Sequence, residues 1–130
     1  MKRLVFALPL LLAAAGCATN SRPYAPVADV RYQAMGAEPF WMLAIGDDRI
    51  VLRSSTVEGE RSWPRTLPRT VAGVRSWRSE QGGSAITVEA RPRPCETEGE
   101  EVYEDNVRVI VGDQSLTGCG GRLLRGRGRL

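Results

Sequence analysis

Hydrophobic positions along this chain come in short blocks, and no window carries a helical period of 3.6 residues. Phe40 to Ile45 is one such block; Gly46-Asp47-Asp48 follows with turn chemistry, and Arg49 to Arg53 resumes the apolar pattern. Strand, turn, strand predicts a hairpin. Thr70 to Trp77 and Ser84 to Ala90, on either side of Gly82-Gly83, predict a second, and Val107 to Val111 and Gln114 to Thr117, around Gly112-Asp113, a third. In the third, Val107, Val109 and Val111 alternate with Arg108 and Ile110, a period close to two that suits a strand with one wetter face. β-branched residues dominate these runs, as a pleated, half-buried surface favours. Ser54 to Arg69, with Pro64, Pro68 and mixed charge, reads as a long loop. Short strands joined by Gly and Asp turns predict an all-β antiparallel meander. In about a hundred residues, the arrangement with fewest open edges is a small barrel or half-barrel.

The N-terminus has a different pattern. Met-Lys-Arg precedes an apolar stretch from Leu4 to Ala15 that is too short for a membrane span, which needs about 20 residues. A basic start, a short apolar run and small residues behind it make a secretory signal. Ala14-Ala15-Gly16-Cys17 resembles a bacterial lipobox, with Ala14 where Leu is usual. Such a signal is cut before the cysteine, whose thiol takes diacylglycerol and whose new amino group takes a fatty acyl chain such as palmitate. The competing reading is an ordinary secretory cut after Ala15, with Cys17 a free thiol. Cysteine parity favours the lipid. The chain has three cysteines, and an unpaired thiol in a secreted protein needs explaining. With lipid on Cys17, Cys95 and Cys119 remain to form one disulfide in an oxidising periplasm. The organisation expected is a signal over 1–16, a Pro-bearing polar tether over 17–30, a β-domain over 31–124 and an Arg/Gly-rich tail over 125–130. Ala18 is not the Asp that holds many lipoproteins in the inner membrane, so the expected location is the inner leaflet of the outer membrane, facing the periplasm.

Composition narrows the chemistry. Removing Lys2 and Arg3 with the signal lowers the formal charge from +3 to +1, and every remaining cation is Arg. This reads as composition bias, and nucleic acid is not an expected partner. The chain has no histidine, so Ser-His-Asp, Cys-His and His-ligated zinc sites are excluded. No phosphate-binding glycine loop is present. No cofactor, metal site or catalytic residue is expected.

Gly36-Ala37-Glu38-Pro39-Phe40-Trp41 forms one cluster; Cys95, Tyr103, Val107-Arg108-Val109 and Gly118-Cys119-Gly120 form another. Together they resemble a family of small bacterial envelope lipoproteins that carry G-x-x-P-F-W early and C…Y…V-x-V…G-C-G late and occur near, or fused to, META-type domains. The resemblance spans roughly Tyr32 to Leu124 and implies location and fold, not an activity. One segment departs from it: Glu96 to Val102 keeps the acidic character of the family's Asp-x-Met-Ser-Asp stretch but lacks its Met-Ser pair.

Phe40 and Trp41 are neighbours, so on a strand one should enter the core while the other faces a rim or an exposed patch. Trp41, with Trp63 or Trp77, bordered by Arg65 and Arg69, makes a candidate recognition surface, because Trp and Arg most often carry interface energy. Packing is the competing role for each tryptophan. Glu96, Glu98, Glu100, Glu101, Glu104 and Asp105 lack the spacing of a calcium loop and read as a solvated segment after Cys95. The arginines from Arg61 to Arg78 have no acid among them and are available to anionic lipid, to glycan carboxylates, to the acidic segment or to water. The function expected is a lipid-anchored, non-catalytic envelope protein that binds an envelope protein or glycan or serves envelope maintenance. A lysozyme-inhibitor-like ligand-binding barrel is the alternative. A carboxylate hydrolase using Asp47 or Asp48 ranks below both.

Overall fold

The computed structural model describes residues 27–126; the signal, Cys17, the tether to residue 26 and residues 127–130 lie outside the described residues. Among the described residues the chain forms ten strands and no helix: β1 (Tyr32–Ala37), β2 (Phe40–Ile45), β3 (Arg49–Ser54), β4 (Val57–Pro64), β5 (Arg69–Val71), β6 (Val74–Gln81), β7 (Ser84–Arg91), β8 (Cys95–Glu96), β9 (Val102–Val111) and β10 (Gln114–Arg125). They make one antiparallel sheet in the order β4-β3-β2-β1-β10-β9-β7-β6-β5, with β8 added to β9. The sheet curls until β4 meets β6, and the seam is bridged by side chains. Ser79 Oγ donates to Pro64 O at 2.6 Å, Trp63 Nε1 donates to Ser84 O at 3.2 Å, and Arg61 donates to Ser84 Oγ. The result is an all-β half-barrel, with the Cys95–Cys119 disulfide tying β8 to β10 on its outer wall.

The three hairpins lie where the pattern puts them, as β2–β3, β6–β7 and β9–β10. Gly82 and Gly83 turn β6 into β7 with φ of 58° and 77°, the left-handed values that a tight two-residue turn needs. Three details differ from expectation. Ser54 to Arg69 is not a loop throughout, since β4 occupies Val57–Pro64 and pairs with β3. The stretch Thr70 to Trp77 is broken at Ala72-Gly73 into β5 and β6. The tether's last residues belong to the fold: Val27 is buried on the outer wall against Ala44 and Val51.

Alternation assigns the two faces. Tyr32, Ala34, Trp41, Leu43, Ile45, Ile50, Leu52, Trp63, Trp77, Ile86, Val88, Val107, Val109 and Leu116 point inward and form one core. Three inward positions carry no side chain, and neighbouring groups, aromatic rings among them, fill the space. A Cβ on Gly36 would stand 2.0 Å from Trp41 Nε1, one on Gly118 would stand 2.8 Å from Trp41 Cζ2, and one on Gly120 would stand 2.8 Å from the Tyr32 hydroxyl. The Trp41 indole therefore lies across β1 and β10 and donates Nε1–H to Thr117 O at 3.1 Å. The early Gly-x-x-Pro-Phe-Trp and late Gly-Cys-Gly are two halves of one packing arrangement, in which bare backbone makes room for a ring.

Candidate functional site

The expected aromatic rim would need tryptophan rings at the surface. Trp41, Trp63 and Trp77 are instead 0 %, 2 % and 4 % exposed, so all three are core residues. Phe40, one residue before Trp41, takes the outward alternative and is 53 % exposed. Arg65 is held by Asp47, with Nη1 3.0 Å from Oδ1, while Arg69 is exposed on β5.

Asp47 and Asp48, the residues considered for hydrolysis, are structural ties. Arg31 places Nε 2.7 Å and Nη2 2.9 Å from the two Asp47 oxygens, a bidentate clamp. This pairing, with Arg65 beside it, holds the Asp47 carboxyl below the usual carboxylate range. Asp48 Oδ1 accepts the Ala28 backbone N–H at 3.0 Å. Together they fasten residues 28–31 to the β2–β3 turn.

At the same end, Asp105 turns inward and is only 6 % exposed. The Tyr32 hydroxyl donates to it at 2.8 Å, and Arg75 Nη2 lies 3.5 Å away. The Arg75 guanidinium stacks over both the Tyr32 and Trp77 rings, 4.9 Å and 5.0 Å from their centres. Burial first, and the neighbouring carboxylate second, push the Tyr32 phenol well above its ordinary value. This cluster plugs the barrel end and satisfies a buried charge. Of the acidic run, Asp105 is thus drawn into the interior, and Glu104 meets Arg122 at 3.9 Å. Among the described residues, no group of three or more His, Cys, Asp or Glu is placed to hold a metal ion.

A groove of about 570 Å³ lies elsewhere, on the outer wall. Its floor is the outward face of β1 and β10: Met35, Ala37, Thr117 and the Cys95–Cys119 bridge, with Phe40 at one end. The segment 92–101 overhangs it. Asn106 Nδ2 donates to the Arg93 and Pro94 carbonyls at 3.0 and 3.4 Å, and the disulfide fixes Cys95 to β10. A tight turn finishes the overhang, with Thr97 N–H donating to Glu101 O at 2.8 Å and Glu100 N–H to Thr97 O at 3.0 Å. Glu96 and Glu98 thereby line the groove, together with Glu38, Glu89, Arg91 and Arg108. An apolar floor with both signs of charge at its margin suits an extended chain with an apolar side and polar edges. Sequence reasoning marked the acidic segment and the disulfide but not this groove. Met35 is an outward strand residue in no motif, Ala37 and Arg108 fill the variable positions of theirs, and only the outward half of the Phe40–Trp41 pair hinted at an exposed ring.

Comparison of the chain with protein-family models, with curated proteins and with solved structures finds no match.

Proposed function

We propose that the protein is a lipid-anchored, non-catalytic binding domain of the bacterial cell envelope, held through Cys17 at the periplasmic face of the outer membrane, with the outer-wall groove as its recognition site. The observation that carries the reading is the Cys95–Cys119 bridge. It fits an oxidising compartment, it leaves Cys17 as the odd cysteine behind a lipobox-like signal, and it fixes the overhang that makes the groove. Asp47, one of the two carboxylates considered for hydrolysis, is already committed to Arg31 and Arg65. The partner chemistry that fits is an envelope peptide or glycan strand lying along Met35, Ala37 and Phe40.

Two measurements test it. Intact mass of the membrane-fraction protein should show a chain that starts at Cys17 and carries diacylglycerol and an acyl chain; a chain starting elsewhere, or a lipid-free Cys17, removes the anchor. A photocrosslinking residue at Met35 or Ala37 should trap a discrete envelope component in living cells, while one at Ser62 on β4 should not. Equal or absent crosslinking from both places removes the groove as a recognition site.

A further inference from the structure

Among the described residues, five of the six exposed large hydrophobic side chains belong to one end of the sheet. Val30 precedes β1, Leu67 follows β4, Val71 closes β5, and Leu123 and Leu124 lie near the end of β10. The antiparallel order brings the start of β1 and the ends of β4, β5 and β10 to this side. Phe40, the sixth, opens β2 at the other.

The β5–β6 hairpin is the most exposed part of this end. Val71 pairs with Val74 across a two-residue turn, Ala72-Gly73, with φ of 51° and 79°. Such a turn ordinarily carries Asn-Gly or Asp-Gly, because Ala is sterically penalised at positive φ. This tip instead reads Val-Ala-Gly-Val, with Val71 68 % and nearby Leu67 77 % exposed. An apolar tip kept at a conformational cost in water suggests that water is not its final neighbour. Cationic residues flank it in sequence. Arg69 lies on the same short strand, and no acidic residue occurs between Arg61 and Arg78. At this end Asp47 and Asp105 are already engaged by Arg31, Arg65 and Arg75.

The chain also leaves for its anchor from here. Ala28 N–H bonds Asp48, whose carbonyl accepts the Arg65 N–H at 3.3 Å, so residues 27–28 sit beside the segment leading to Leu67. Val27 lies ten positions after Cys17, a stretch that can span at most about 35 Å.

We infer that this end of the half-barrel docks on an anionic phospholipid surface beside the protein's own anchor, with Leu67 and Val71 entering the interface and Arg69 at the phosphates. The anchor geometry rests on the reading of Cys17 given above; the apolar, cationic tip does not. The lipid on Cys17 holds the chain at the membrane but leaves the domain free to face any way, and an inserted tip adds apolar burial and charge attraction to that hold. It also fixes the domain's orientation, with Phe40 pointing away from the bilayer.

The test uses the mature lipidated protein in vesicles of phosphatidylethanolamine and phosphatidylglycerol. Val71→Trp and Leu67→Trp should be quenched by brominated acyl chains above the background of the three buried tryptophans, and Phe40→Trp should not. Absence of quenching at both tip positions, in protein whose mass shows the lipid, overturns the docking and leaves the anchor standing. If Cys17 carries no lipid, the full-length Cys17→Ser chain is read instead by co-sedimentation with the same vesicles. Binding should fall about fivefold with Arg69→Gln and about tenfold or more with Leu67→Ser and Val71→Thr combined. Ala72→Asn suits the turn and makes the tip polar, so it should weaken docking while leaving the melting temperature equal or higher. Unchanged vesicle binding by the tip variants overturns the inference. So does a dimer that dissociates on tip substitution while vesicle binding persists, which would assign the face to a second copy.

Discussion

Adding one carbon at Gly36 tests the packing arrangement at the centre of this fold. Gly36 sits opposite Trp41 in the β1–β2 ladder. In Gly36→Ala, the new Cβ would lie 2.0 Å from Trp41 Nε1, 2.7 Å from its Cδ1 and 2.6 Å from Thr117 O. The indole is fully buried and held by its hydrogen bond to Thr117 O. Forcing an extra methyl into a packed core costs about 1–3 kcal/mol. Moving the indole off Thr117 O strands a buried N–H, for a further ~1–3 kcal/mol. Against this, replacing Gly by Ala in a strand returns up to about 1 kcal/mol through the unfolded chain. The expected net loss is about 3 kcal/mol, the middle of what those terms span, which in a domain of about 100 residues lowers Tm by roughly 12–24 °C. Equilibrium urea unfolding of the oxidised protein, followed by tryptophan fluorescence, measures it. Gly99→Ala is the control, since its Cβ would find nothing nearer than 3.6 Å, and it should stay within about 0.5 kcal/mol. The cause is isolated by repeating Gly36→Ala in a Trp41→Leu background. If the indole is what the methyl strikes, the loss there should shrink by about 1 kcal/mol or more. A loss under about 1 kcal/mol in the natural background, or equal losses in both, refutes the argument.

Further outcomes follow from the same geometry. Reducing the Cys95–Cys119 bridge opens a loop with a sequence separation of 24 and should cost ~3 kcal/mol on the chain-entropy account, read as a lower urea midpoint in the Cys95→Ser/Cys119→Ser protein. The Asp47 carboxyl is lowered in the folded protein, chiefly by its Arg31 hydrogen bond; its contribution is therefore present above the unfolded carboxylate value near 4 and lost as pH falls through the lower folded one. Asp47→Asn should flatten the acid limb of the stability curve, and an unchanged limb counts against the clamp. Tyr32 has the opposite sign: its phenol is raised when folded, so its contribution is intact below pH ~10 and declines above, where the unfolded chain ionises and the folded one does not. An ultraviolet titration should show the Tyr32 phenol ionising only with unfolding, and Tyr32→Phe should remove that part of the alkaline loss.

What the sequence made legible was whatever the core demands of it. Val107, Val109 and Val111 alternate because every second residue of β9 faces inward, and the Gly82-Gly83 turn announces itself through residues that tolerate positive φ. β4 was illegible for the converse reason. Within residues 59–64 of this edge strand Trp63 is the large apolar residue that enters the core, so Gly59-Glu60-Arg61-Ser62-Trp63-Pro64 has no apolar alternation to read. The Ala72-Gly73 turn escaped because Ala is not a turn residue, and that mismatch is what makes the hairpin tip informative once its φ is seen.

The candidate site divides the same way. Trp41, Trp63 and Trp77 were drawn toward a binding rim by residue type alone, yet side-chain type does not say which face of a strand a ring occupies. For Trp41 the deciding information lies in Gly36 and Gly118, distant in sequence and adjacent in space. Bare backbone at those two positions leaves room for the indole, which lies inward there, with Phe40 turned outward toward the groove. The glycines of the two motifs thus bear on recognition indirectly. They set the face of the one aromatic pair, and with it which ring is left for a partner to meet. Substitution of Phe40 should therefore change binding at the groove with little effect on the core, whereas substitution of Trp41 acts on the core first and on the groove only through it.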